Sequence, residues 1–169
     1  MRTVIAVVMA TLIGTSAYAA EQKWAEYKFK EDRFAISEPV PPRTETRKFD
    51  AAFGPVTENV YAFFPGPEGV VFTVHVNARS EGDHRSDDEI LAFSVKSVPP
   101  DAQRVLTQSG VKGVEFAFDN DAASKTLMRI FVRDGELYIL QLTGLKSAFP
   151  HPLAERWLNS WRLLAPDEK

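Results

Sequence analysis

Three histidines, His75, His84 and His151, are the side chains best suited by type to ligate a transition metal or carry a proton at neutral pH. Their spacings match no zincin or zinc-ribbon pattern. A sharper local grouping is Glu81, Asp83, His84, Asp87 and Asp88, an oxygen-rich cluster of the kind that holds a hard cation. It lacks the regular ligand spacing of an EF-hand, and Asp87 and Asp88 follow Ser86, where carboxylates favour a helix start. A solvated loop and a capped helix account for the cluster, so no metal site is expected. Nucleophilic catalysis has no better support. There is no G-x-S-x-G elbow, and Ser80 and Ser86 lie in a polar loop where turn and capping roles suffice. Asp119 and Asp121 sit in DNDAAS, which reads as a turn between strands. With no G-x-G-x-x-G loop and no cysteine, neither catalytic residues nor a cofactor are expected, and the chain reads as a protein without enzymatic activity.

The remaining candidates are contact residues. RIFVRDGELYILQLTG, residues 129–144, brings two apolar runs together at Asp134-Gly135, a pair suited to the two positive-φ positions of a type I′ turn. In the resulting hairpin 133 faces 136, 132 faces 137 and 131 faces 138. One face then carries Met128, Ile130, Val132, Leu137 and Ile139 and reads as dry. The other carries Arg129, Phe131, Tyr138, Leu140 and Leu142 and reads as mixed. Arg129 beside Phe131 and Tyr138 could line a cleft for an acidic or aromatic ligand. The plainer reading packs the two aromatics under a C-terminal helix while Arg129 snorkels to water. Two loops, FFPGPEG (63–69) and SAFPHP (147–152), present Phe64 and Phe149 outside any core periodicity, as plausible partner contacts.

Positioning such residues requires a scaffold, and the N-terminus bears on where it operates. MRTVIAVVMATLIGTSAYAA combines Arg2, an apolar run from Val4 to Ile13 and a small-residue site at Ala17-Tyr18-Ala19. This is the pattern of a cleavable signal peptide over residues 1–19, with an apolar run too short to span a bilayer. Residues 20–169 then form a single domain, large enough to bury about 68–70% of its unfolded surface. That segment holds 19 basic and 23 acidic residues, a formal charge of −4, which argues against nucleic acid as a partner. An exported chain without cysteine relies on its core alone, which suits a bacterial periplasmic protein.

Short β-type runs follow: 24–29, 33–37, 43–49, 58–64 and 69–78, separated by turn residues as in EPVPP and FPGPEG. In the last run Val70, Phe72, Val74 and Val76 alternate with Thr73, His75 and Asn77, so one face is buried and the other at least partly wet. Ser86 with Glu89 makes a capping box, and Ile90, Leu91, Phe93, Val95 and Val98 give the helix a broad apolar side before Pro99-Pro100 stops it. Residues 102–109 and 113–118 supply two more strands. In PLAERWLNSWRLL, Leu153, Trp157, Trp161 and Leu164 recur at helical spacing, with Pro152 in the first turn. Two helices and about eight strands joined by short turns predict an α+β fold, an antiparallel β-sheet flanked by helices.

The order of Phe34 to Pro39 (F-x-x-x-x-P), Gly110 to Phe116 (G-x-x-G-x-E-F), Arg129 to Leu140 and Trp157 to Leu163 (W-L-x-S-W-x-L) resembles the PsbP and Mog-like superfamily. The resemblance runs from about Tyr27 to Leu164, with tryptophan at 157 and 161 where phenylalanine is commoner. It implies an α-β-α sandwich on an antiparallel sheet and no common catalysis. PsbP is an extrinsic accessory protein of photosystem II, and Mog proteins bind the GTPase Ran. The expectation is therefore a non-enzymatic, periplasmic accessory or binding module, monomeric and not membrane-spanning, that acts on a protein partner in the cell envelope. The alternative is a carrier of a small ligand in a cleft between the sheet and the C-terminal helix.

Overall fold

In the computed structural model residues 23–64 and 69–168 are described; residues 1–19, which the sequence pattern reads as a signal peptide, lie outside them. The fold is α+β. Ten strands, rather than about eight, run β1 (Ala25–Phe29), β2 (Phe34–Glu38), β3 (Arg43–Ala51), β4 (Gly54–Phe63), β5 (Val70–Asn77), β6 (Arg104–Gln108), β7 (Val111–Asp119), β8 (Ser124–Arg133), β9 (Glu136–Leu145) and β10 (Arg162–Leu163). The helices are α1 (Asp87–Ser94) and α2 (Ala154–Ser160). Seven strands form an antiparallel sheet in the order β3-β4-β5-β9-β8-β7-β6, and β1, β2 and β10 form a second, small antiparallel sheet.

Turn chemistry sets the register. Asp134 and Gly135 both take positive φ, 53° and 80°, and Arg133 pairs with Glu136, Val132 with Leu137 and Phe131 with Tyr138, as the two-residue turn predicts. The chain leaves the sheet after β5, crosses one face as α1, reaches the far edge as β6 and returns strand by strand until β9 pairs with β5. Both edges are protected. β3 is exposed along its length and reads RTETRKFDA, a charged sequence that discourages pairing with another chain, and β6 is short.

The two sheet faces differ in the opposite sense to the sequence expectation. The face carrying Phe131, Tyr138, Leu140 and Leu142 is the drier one: all four are completely buried together with Phe72, Val74, Trp157, Leu158 and Phe34. α2 and the small sheet cover it. Trp161 stacks on Phe131 with centroids 4.5 Å apart and planes 10° from parallel, and Trp157 lies 5.0 Å from Phe72. Opposite Phe131 stands Gly113, where any Cβ would collide with the phenyl ring, so this glycine makes room for the stack. The other face, with Ile130, Val132, Val114 and Phe116, packs against Ile90, Leu91 and Val95 of the α1 region, with Val98 partly buried beside them.

Both helices are shorter than their apolar periodicity suggests. Ser86 caps α1 through the Glu89 amide while Glu89 accepts from the Ser86 amide, the reciprocal box read from the sequence. The helix ends at Ser94, and Phe93 points away from the core instead of joining the buried side. α2 ends at Ser160, Pro152 precedes its first turn, and Trp161 is extended (φ −66°, ψ 135°). The next residues pair with β2, Arg162 with Ala35 and Leu163 with Phe34, because backbone donors and acceptors at that sheet edge are better satisfied by a strand than by another helical turn. Trp161 and Leu164 are buried as expected, but from extended backbone.

Under α2 the carboxyl of Glu38 is completely buried, and among the described residues its only polar neighbour is the Trp157 indole N–H, at a geometry too poor for a well-formed hydrogen bond. Burial pushes its pKa up to about 8, an effect the Trp157 indole opposes only in part. The folded value lies above the unfolded one, so this group's stabilisation is complete in acid and is lost as pH rises from the ordinary carboxylate range towards about 8. Glu38→Gln should flatten the corresponding slope, so that thermal unfolding midpoints of the wild type fall more steeply than those of the variant over that window. Parallel profiles would show that Glu38 ionises without penalty.

Candidate functional site

α1 does not fill the face that it crosses. Between its C-terminal half, the sheet and the β3–β4 hairpin tip lies a groove of about 720 Å³, within the usual size range of small-molecule sites. Its floor is apolar: Val56 of β4, Met128 and Ile130 of β8, and Leu137 and Ile139 of β9. Four phenylalanines, Phe49, Phe53, Phe93 and Phe118, rim it at 37–45% exposure. Isolated exposed apolar side chains are ordinary, but four around one concavity form a contiguous patch of the kind that marks an interaction site.

Each wall is held by a local device. Asp87 at the start of α1 accepts hydrogen bonds from the turn amides of Asp134 (3.0 Å) and Gly135 (2.8 Å), which pins the helix to the β8–β9 hairpin. The hairpin tip reaches α1 through an edge-on contact of Phe53 with Phe93, centroids 5.5 Å apart. Gly54, at φ 115°, makes that turn possible. Ser80 donates to the Pro55 carbonyl at 3.0 Å and ties the loop after β5 to the same hairpin.

The end of the groove is cationic. The Arg85 guanidinium lies 3.7 Å from the Phe53 ring centroid and 4.7 Å from that of Phe93, and Lys96 Nζ sits 3.8 Å from the Phe93 centroid. Arg85 is also paired with Asp83, Nε to Oδ1 at 2.8 Å and Nη2 to Oδ2 at 2.6 Å. Those hydrogen bonds hold the Asp83 carboxyl down at about 2, so the pair is fully charged. Two buried polar atoms of groove residues, Arg85 Nη1 and Asn77 Oδ1, have no hydrogen-bond partner among the described residues.

The residues singled out in the sequence lie elsewhere. Phe131 and Tyr138 are sealed in the core under the tail, and Tyr138 donates to Glu136 at 2.6 Å. Arg129 does not snorkel: it is 3% exposed and donates to Glu115 (2.5 Å), Gln108 (3.0 Å) and Asn159 (2.8 Å). Gln108 in turn donates to the carbonyls of Leu158 and Trp161, which α2 leaves unpaired at its end. The cleft expected between the sheet and the C-terminal helix is therefore occupied by side chains, and Arg129 fastens the tail to the sheet. Phe149 is half-buried against the main core, with His151 edge-on to Phe72, while Phe64 stays exposed beneath the Arg43 guanidinium. The three histidines do not converge: His75 pairs with Glu58 and Thr73 on the sheet, and no group of metal-ligating side chains forms among the described residues. Of the acidic cluster, Asp83 bonds Arg85 and Asp87 bonds the hairpin turn.

Sequence reading missed the groove because its parts are distant in the chain. One signal was available: Phe53 breaks the polar pattern of a turn, and Phe118 sits at a strand end beside a turn. Arg129→Met removes one partner of a buried pair and should lower stability by about 3 kcal/mol in urea unfolding. Arg104, 2.6 Å from Glu115, keeps the loss from being larger. A loss below about 1 kcal/mol, the level of exposed pairs, would mean that water screens the site.

No protein-family model matches the chain, and no curated protein matches it in sequence. Among solved structures it is similar to the solution structure of cyanobacterial PsbP (CyanoP) from Synechocystis sp. PCC 6803, with a TM-score of 0.51 and 8% identity over 89% of this chain and 98% of that one. It is also similar to a protein from Bacteroides thetaiotaomicron VPI-5482, with a TM-score of 0.49 and 13% identity over 81% of this chain. The chain spans about half of the Bacteroides protein, 47% of its length. The architecture, an antiparallel sheet with helices on its faces, is thus a PsbP-like α+β fold.

Proposed function

We propose that this protein is a non-enzymatic binding module that takes up a small ligand with an apolar chain in the groove between α1 and the central sheet. The observation that carries this reading is the concavity itself, an apolar floor rimmed by four part-exposed phenylalanines. Burying apolar surface is the dominant driving force available there, at about 25 cal/mol per Å². The ligand site of such a carrier lies on the α1 face of the sheet, since the tail fills the face beneath the C-terminal helix. The PsbP-like fold is consistent with a binding or accessory role, and fold by itself does not specify more.

Export to the periplasm is part of the same proposal and rests on the N-terminal pattern of residues 1–19. No helix among the described residues is long and apolar enough to cross a membrane. Contact with a protein partner in the cell envelope is kept as a second role, for which Phe64 and the segment around Phe149 are the proposed surfaces. Phe64 favours it, being 48% exposed at the mouth of the β4–β5 connection.

A neutral apolar fluorophore, phenylnaphthylamine, tests the groove without involving charge. The wild-type protein should enhance its emission saturably. Phe93→Asp and Phe118→Asp should each weaken binding about tenfold, because a carboxylate replaces apolar contact area at the rim. Both side chains are exposed, so the folded state should persist by circular dichroism. Unchanged binding in both variants would remove the groove as the site.

A further inference from the structure

The groove is apolar along its floor and positively charged at one end. Arg85 and Lys96 both approach the Phe93 ring, and Arg79 joins them on the loop that closes that end. The acidic side chain lining the groove is Asp83, and both of its oxygens are engaged by Arg85. Lys96 has no acidic partner among the described ion pairs; its contact is with an aromatic face. The local balance is therefore cationic in a chain whose formal net charge is −3. A bidentate pair uses Nε and Nη2 of Arg85 and leaves Nη1 buried with no acceptor among the described residues. A buried donor of this kind is costly unless something accepts from it.

Building on the groove as a ligand site, we propose that its ligand is a single-chain amphiphile with an anionic head, carboxylate or phosphate. The head lies between the Arg85 and Lys96 cations, and the chain runs along Leu137, Ile139 and Val56. The rings of Phe53 and Phe93 shield the head from water on two sides, which strengthens charge-assisted hydrogen bonds relative to an open surface. Asp83 sets the geometry: its two bonds to Nε and Nη2 fix the guanidinium plane at that end of the groove. An amphiphile with a cationic head would meet the same end with like charge, and a neutral head would leave the Arg85 donor without a charged acceptor.

Three probes sharing one chain separate the parts: palmitate, palmitoyl lysophosphatidate and monopalmitin, titrated below their aggregation limits by calorimetry at low ionic strength. Palmitate and lysophosphatidate should bind about tenfold or more tighter than monopalmitin, with the advantage shrinking as salt rises. Lys96→Glu should lower affinity for the two anions about tenfold and leave monopalmitin unchanged. Lys96 is exposed, and an unaltered melting profile confirms that the variant is folded. A preference for one anion over the other assigns the head as carboxylate or phosphate. Equal binding of all three probes, unaffected by Lys96→Glu, overturns the head-group assignment and leaves the apolar groove standing. Binding of none, together with unchanged fluorophore binding in the Phe93 and Phe118 variants, overturns both.

Discussion

An eight-residue helix cannot cover a seven-stranded sheet. α1 is about 12 Å long at 1.5 Å per residue, whereas seven strands at about 4.8 Å spacing span roughly 29 Å. Whatever α1 leaves uncovered must be polar, covered by something else, or open. Across β4, β5 and β9 the uncovered residues include Glu58, His75, Thr73 and Gln141, which satisfy one another or face water. Nearer the helix they are Val56, Leu137 and Ile139, and there the β3–β4 hairpin tip closes over them without filling the space. The groove follows from that mismatch of lengths.

The opposite face shows what full coverage requires. There the chain spends its largest side chains, Trp157 and Trp161, and adds a second small sheet. The stack of Trp161 on Phe131 needs Gly113 at the facing position, and the tail that delivers Trp161 is fastened by Arg129 through Glu115, Gln108 and Asn159. Arg33 completes the enclosure from the β1–β2 turn, donating to Glu136 at 2.8 Å and to Asp134 at 3.0 Å across the hairpin tip. A face sealed to this extent has no space left for a ligand, whereas the face that α1 half covers keeps an open groove.

Local chemistry was legible in the sequence, and non-local geometry was not. Asp134-Gly135 dictated a register correct at Arg133–Glu136, Val132–Leu137 and Phe131–Tyr138, because a two-residue turn leaves no freedom. Ser86 and Glu89 marked the start of α1 for a similar reason. Trp161 and Leu164 misled: their spacing fits a helix, but backbone pairing of the intervening Arg162 and Leu163 with Ala35 and Phe34 took priority over local periodicity. The hairpin faces were separated correctly and ranked wrongly, since an arginine was read as a sign of solvent when Glu115, Gln108 and Asn159, distant in the chain, enclose it. The groove escaped because Phe53 and Phe93 meet only after α1 is pinned to the β8–β9 turn. No segment of the chain contains that concavity.

The most direct test of the groove is where a bound chain touches the protein. Methyl-resolved NMR with palmitate should move the resonances of Val56, Leu137 and Ile139, on the floor beside α1, and leave Leu140, Leu142 and Leu158 beneath the tail unmoved. Shifts confined to the methyls under the tail, or to residues flanking Phe64 and Phe149, would contradict the assignment of the binding surface to the α1 face.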